Sequence, residues 1–136
     1  DEVIQENEEV IRISGASIIT NFHVKTIEYS RDGLKSILYN LIINAIKYAD
    51  PSRLPEIEVD TSMHEGKIRL QVNDNGLGID LERYRERLFG LFKRLHTHVE
   101  GSGIGLYSVK QLVERKGGAV DVRSIVGEGS TFIILF

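Results

Sequence analysis

The chain contains no cysteine. That removes a disulfide frame and any thiolate-ligated metal site, and it suits a reducing compartment. An excess of positive charge is missing too: 17 Lys and Arg against 20 Asp and Glu leave a formal net charge of −3. Nucleic acid is usually met by a basic face, so the charge balance gives no case for it. No apolar run approaches the roughly 20 residues needed to span a bilayer, and no signal peptide opens the chain. An initiator Met is also absent; "DEVIQENEEVIRI" reads as mid-chain sequence, as expected of a domain cut from a longer protein. Last, no G-x-x-x-x-G-K-[ST] loop occurs, which excludes a Walker-type phosphate cradle.

What is present is ordinary globular sequence, 41% apolar and 27% charged over 136 residues. That length is enough for one domain, 1–136, with a real core. Residues 3–13 carry Val3, Ile4, Val10, Ile11 and Ile13 among acids and predict a short helix; "SIITNF" (17–22) predicts a strand. The clearest helix lies at 32–48, where Leu34, Ile37, Leu38, Leu41, Ile42, Ala45 and Ile46 form one stripe at the helical period. Ser30 or Asp32 can cap it, and Asp50-Pro51 stops it. "EIEVDTSM" and "KIRLQVND" alternate around His64-Glu65-Gly66, a hairpin pattern. An Arg-rich, partly helical segment covers 80–95, and a helix is expected over 104–116, ending at Gly117-Gly118. "AVDVRS" and "STFIILF" close the chain as a pair of strands. The expected class is α+β: a two-layer α/β sandwich with a mixed, mostly antiparallel sheet of about five strands and about three helices on one face.

Four short motifs could carry chemistry. Asn40, Asn44 and Lys47 stand at i, i+4 and i+7, opposite the apolar stripe of the long helix. Two amide oxygens and an ammonium there can hold a hydrated Mg²⁺ and reach a phosphate; the same spacing also suits a plain solvated face. "NDNGLGID" (73–80) puts Asp74 at a strand end before Gly76 and Gly78. Its glycines let backbone approach a flat ligand, and a buried carboxylate beside them would accept from an exocyclic amine; a tight turn is the alternative. In "EGSGIGLYSVK" (100–110), Gly101, Gly103 and Gly105 lead into a helix whose N-terminus is an anion site. "GEGSTF" (127–132) is a glycine-rich turn entering the last strand.

Together, in this order and spacing, these motifs resemble the ATP-binding catalytic domain of bacterial sensor histidine kinases, in the GHKL ATPase superfamily. "YNLIINAIKY" (39–48) resembles the N box, "DNGLGI" (74–79) the G1 box, "LFGLFKR" (88–94) the F box, "GSGIGL" (101–106) the G2 box and "GEGSTF" the third glycine box. The resemblance covers roughly residues 30–136.

The resemblance implies ATP and Mg²⁺ as cofactors. Asp74 would accept from adenine N6, with Gly76, Gly78 and Ile79 shaping the pocket and Thr131 supporting that contact through water. Asn44 would ligate Mg²⁺, helped by Asn40; Lys47 and Tyr48 would approach phosphates and ribose. Phe89 and Phe92 would anchor a lid with Lys93 near the nucleotide, and Arg94 would reach the γ-phosphate and assist transfer. Gly101, Ser102, Gly103, Ile104, Gly105 and Leu106 would let the lid close over the phosphates. Asn44, Lys47 and Arg94 are the catalytic candidates.

Superfamily members that hydrolyse ATP carry a glutamate base where Asn40 stands, and an amide cannot take a proton at neutral pH. The resemblance therefore implies transfer to a histidine on the protein's own dimerisation domain rather than to water, with a response regulator as indirect partner. An ATP-binding switch without transfer is the alternative. His23, His64, His96 and His98 lack the family's phosphoacceptor motif, so the chain alone is not expected to phosphorylate itself. His96 and His98 read as a solvent-exposed loop rather than a metal pair. The isolated domain is expected to be a monomer in the cytoplasm, from a protein that can be anchored in the inner membrane.

Overall fold

The computed structural model describes residues 2–24, 27, 29–84 and 105–136. The elements run α1 (Glu2–Glu6), α2 (Glu8–Ser14), β1 (Ser17–Phe22), α3 (Arg31–Lys47), β2 (Glu56–His64), β3 (Lys67–Asp74), α4 (Leu81–Tyr84), α5 (Gly105–Arg115), β4 (Ala119–Ile125) and β5 (Gly129–Leu135). The five strands form one sheet in the order β1-β2-β3-β5-β4. β1 and β2 pair in parallel and the other neighbours antiparallel. A parallel pair needs a crossover, and α3 supplies it.

The core lies between the sheet and its helices. Ile37, Leu41, Ile42 and Ala45 of α3 and Val109 and Val113 of α5 pack on Ile57, Val59, Leu70, Val72, Val122, Phe132 and Ile134. Val3 of α1 joins the same cluster, whereas α2 buries none of its residues. The expected mixed five-stranded sheet with helices on one face is therefore what forms.

Local differences have local causes. The expected 3–13 helix is two short helices that meet at Asn7, whose φ of −114° and ψ of 19° leave the helical range; its backbone N–H and its side-chain amide both donate to Val3 O, at 3.2 and 2.8 Å. The β2–β3 turn is two residues rather than three: His64 still pairs with Lys67, leaving Glu65 and Gly66 at φ 50° and 80°. Both positive angles belong to the hairpin turn that matches strand twist. Of the two possible caps, Ser30 is the one used, its Oγ accepting from Gly33 N at 3.0 Å. Ser30→Ala is expected to cost about 1 kcal/mol of stability, the usual worth of such a cap. A denaturant midpoint unchanged from wild type would show that the helix does not depend on it.

Candidate functional site

Asp74 ends β3 in step with inward-facing Leu70 and Val72, so its carboxylate points to the helix side of the sheet. Oδ1 accepts from the backbone N–H of Gly76 at 2.9 Å and of Ser130 at 3.2 Å. Oδ2 takes no hydrogen bond from the described residues. Burial pushes the carboxyl above the usual Asp range, and the two N–H bonds pull it partly back. Among the described residues the carboxylate therefore keeps one oxygen as an unused acceptor.

The loop after Asp74 is pinned on two sides. Leu77 N donates to Tyr48 O at 3.0 Å, tying the loop to the end of α3. Gly127 N donates to Leu77 O at 2.8 Å and Ile79 N to Ser124 Oγ at 2.7 Å, tying it to the β4–β5 hairpin. The close approach demands glycine twice. A Cβ at Gly78 (φ 75°) would collide with Ile125 O, and one at Gly129 (φ 137°) with Asp74 O.

The polar side of α3 faces the start of α5. Asn40 donates its amide nitrogen to Ser36 O at 2.9 Å, which leaves Oδ1 as its acceptor end. That oxygen lies 3.0 Å from where a Gly105 Cβ would stand, so the first turn of α5 abuts the Asn40 amide. Asn44 is half-buried one turn on, and Lys47 is exposed at the helix end. The first turn of α5 itself holds no acidic residue. The loop after Asp74 thus meets the end of α3 at Tyr48, and Asn40 on the same helix meets the start of α5.

Residues 29–136 match the family described as "Histidine kinase-, DNA gyrase B-, and HSP90-like ATPase". The chain belongs to this family.

Its relatives place it among histidine kinases. Cyanobacterial phytochrome A of Nostoc is 37% identical over 121 residues, covering 88% of this chain and 15% of that protein. Sensor protein SrrB of Staphylococcus aureus is 32% identical over 124 residues, covering 88% of this chain and 21% of that protein. The chain therefore spans about a fifth or less of the curated relatives it matches. In structure it resembles the catalytic domain of histidine kinase ThkA, with TM-score 0.82 and 27% identity, covering 99% of this chain and 87% of that one. Full-length ShkA in complex with AMPPNP matches at TM-score 0.80 and 27% identity, over 98% of this chain and 29% of that one.

In this histidine-kinase ATPase domain, one expected contact is corrected. Thr131 pairs with Asn73 and donates its hydroxyl to Asn73 Oδ1 at 2.8 Å, and Asn73 in turn donates to Asp60 Oδ2 at 3.2 Å. All three lie on the sheet face away from the helices, so Thr131 cannot reach the ligand side of Asp74. Ser130 occupies that side: it pairs with Asp74, is buried, and its Oγ lies 2.7 Å from Ser124 Oγ. Counting back in twos from buried Phe132 would have found it.

Gly76, Gly78, Ile79, Tyr48, Asn40, Gly105 and Leu106 all belong to the elements that meet around Asp74 and α3. Phe89, Phe92, Lys93, Arg94, Gly101, Ser102, Gly103 and Ile104 lie outside the described residues, as do His96 and His98. Two residues had no expected role. Asn75 bridges to the α3–β2 loop, its amide accepting from Glu56 N at 2.8 Å and donating to Leu54 O at 3.1 Å; Arg53 answers from that loop. Nothing in local pattern marks either one.

The amides of Asn40 and Asn44 would suit Mg²⁺. Two neutral amide oxygens would leave most of its coordination sphere to water and phosphate, as Mg²⁺ prefers. Among the described residues no cluster of three or more His, Cys, Asp or Glu competes for such an ion, and no helix is long and apolar enough to cross a membrane.

Proposed function

We propose that this domain binds Mg-ATP and donates the γ-phosphoryl to a histidine on the dimerisation domain of the same full-length kinase. The observation that carries the reading is the inward Asp74 carboxylate, desolvated and with Oδ2 unbonded among the described residues. That oxygen accepts the 6-amino group of adenine. Guanine presents a carbonyl at the same position, so ATP is preferred over GTP.

Asn44 and Asn40 hold Mg²⁺ through their amide oxygens. The ion, when bound, neutralises phosphate charge. Lys47 meets the phosphates, Tyr48 the ribose side, and the α5 N-terminus contributes partial positive charge. Asn40 cannot activate water, which suits a site that keeps ATP for transfer. The acceptor imidazole nitrogen forms the new N–P bond as the bond from phosphorus to the ADP oxygen breaks, with Arg94 neutralising charge on the transferring group. A response regulator would take the phosphoryl from that histidine. We place the domain in the cytoplasm, as a monomer when isolated.

The test mixes the chain, Mg-ATP and a purified dimerisation hairpin bearing the phosphoacceptor, and scores phosphohistidine. ATP bound without phosphohistidine would leave an ATP-responsive switch instead. In the same assay Arg94→Ala should lower transfer more than ATP affinity; equal loss of both would remove its role in transfer.

A further inference from the structure

The loop that follows α3 carries a guanidinium that reaches across to the nucleotide-reading loop. Asp50 builds the turn that presents it: its Oδ1 accepts from Ser52 N at 2.9 Å and Ser52 Oγ at 2.7 Å, and Arg53 N donates back to Asp50 O at 3.2 Å. From there Arg53 Nε donates to Asn75 O at 2.6 Å, and Nη2 donates to both Gly76 O at 3.0 Å and Gly127 O at 2.8 Å. Nη1 stays near Asp50 Oδ2, at 3.6 Å. One side chain thus joins three segments that are distant in sequence: the α3–β2 loop, the loop after β3, and the β4–β5 turn.

These carbonyls flank the base-reading carboxylate. Asn75 follows Asp74 directly, and Gly76 supplies one of the two N–H groups that orient Oδ1. Gly127 belongs to the turn leading to Ser130, which supplies the other. Arg53 therefore holds one support of Asp74 directly, at Gly76, and the turn that leads to the other, at Gly127. Its planar fork suits this task, since it can serve several acceptors in fixed directions where an ammonium acts as a point charge.

We propose that Arg53 is a positioning residue for base recognition: it clamps the loop after β3 to the β4–β5 turn and so fixes Asp74 against the ligand's exocyclic amine. Arg53 touches no nucleotide in this account; it acts through Asp74. The inference rests on the ATP reading above.

The experiment compares ATP with purine riboside 5′-triphosphate, which lacks the 6-amino group, by calorimetry on the wild-type chain, Arg53→Ala and Arg53→Lys. Arg53→Ala should lose about tenfold in ATP affinity and leave the purine analogue nearly unchanged. Arg53→Lys should fall between, because lysine can serve only part of the carbonyl set. In an Asp74→Asn background the Arg53→Ala loss should vanish, as coupled residues require. Equal loss for both nucleotides, or no loss for either, overturns the proposal.

Amide hydrogen exchange gives a ligand-free arm. In Arg53→Ala the Gly76 and Gly127 amides should exchange faster while the β2–β3 amides keep their protection; unchanged rates at Gly76 and Gly127 overturn the clamp. If the wild-type chain binds neither nucleotide, the ATP reading fails on its own and the exchange rates decide whether Arg53 holds the loops.

Discussion

Asp74→Asn is expected to lower ATP affinity by roughly 10- to 100-fold while raising the thermal stability of the unliganded chain at neutral pH. The affinity loss follows from donor chemistry. The amide oxygen of asparagine can keep the N–H bonds of Gly76 and Ser130, which turns its NH₂ toward the adenine amine, donor against donor. A hydrogen bond to a charged acceptor, worth about 1.5–3 kcal/mol, is then replaced by a mismatch.

The stability gain follows from burial. Desolvation lifts the folded carboxyl above its ordinary value of 3.8, so the folded state binds its proton more tightly than the unfolded chain does. The favourable contribution is complete below the ordinary value and is lost as pH rises through the folded value. At neutral pH the wild type therefore carries the cost of a buried charge that asparagine lacks. Calorimetric titration with ATP and GTP, with thermal melts at pH 7 and near pH 4, checks both halves. The stability advantage should shrink at the lower pH. An ATP affinity equal to wild type, or equal wild-type affinities for ATP and GTP, would falsify the base-reading role of Asp74.

Asn44→Asp should be more damaging to binding. It adds a unit negative charge where the phosphates are expected, half-buried on α3 and one turn from Asn40. At about 5 Å and an effective dielectric near 20, that charge costs roughly 3 kcal/mol, or about 100-fold in Mg-ATP affinity. The substitution is isosteric, so the fold should melt at nearly the wild-type temperature. Asn44→Ala, which removes the oxygen ligand without adding charge, should lose less. Titrations of Mg-ATP into both variants measure the difference; normal binding by Asn44→Asp would end the assignment of Asn44 as metal ligand.

The extent to which this site could be read in advance varied with the range of the interaction behind each residue. α3 was legible because its apolar residues recur at the helical period, and the same period puts Asn40, Asn44 and Lys47 on the opposite stripe. The β2–β3 hairpin was legible because alternation breaks at a glycine. The break between α1 and α2 was not: it is a change of dihedral angle at the single residue Asn7, which the spacing of apolar residues does not record. Thr131 shows how narrow the margin is in a strand. The turn and the strand were both anticipated, yet a shift of one residue moves a side chain to the opposite face of the sheet.

Local pattern and the order of the glycine and asparagine boxes determined the class of fold, the family and the stretches of chain that meet around Asp74 and α3. Those features rest on contacts within a turn of helix or across a hairpin, and such contacts leave a period in the sequence. The tertiary structure decided the rest: that β1 pairs in parallel with β2, that Ser130 rather than Thr131 stands beside Asp74, and that Arg53 reaches Gly76 O and Gly127 O. Each of these joins residues far apart in the chain. Their meeting is set by how the sheet stacks and how the loops close over it, which no local spacing records.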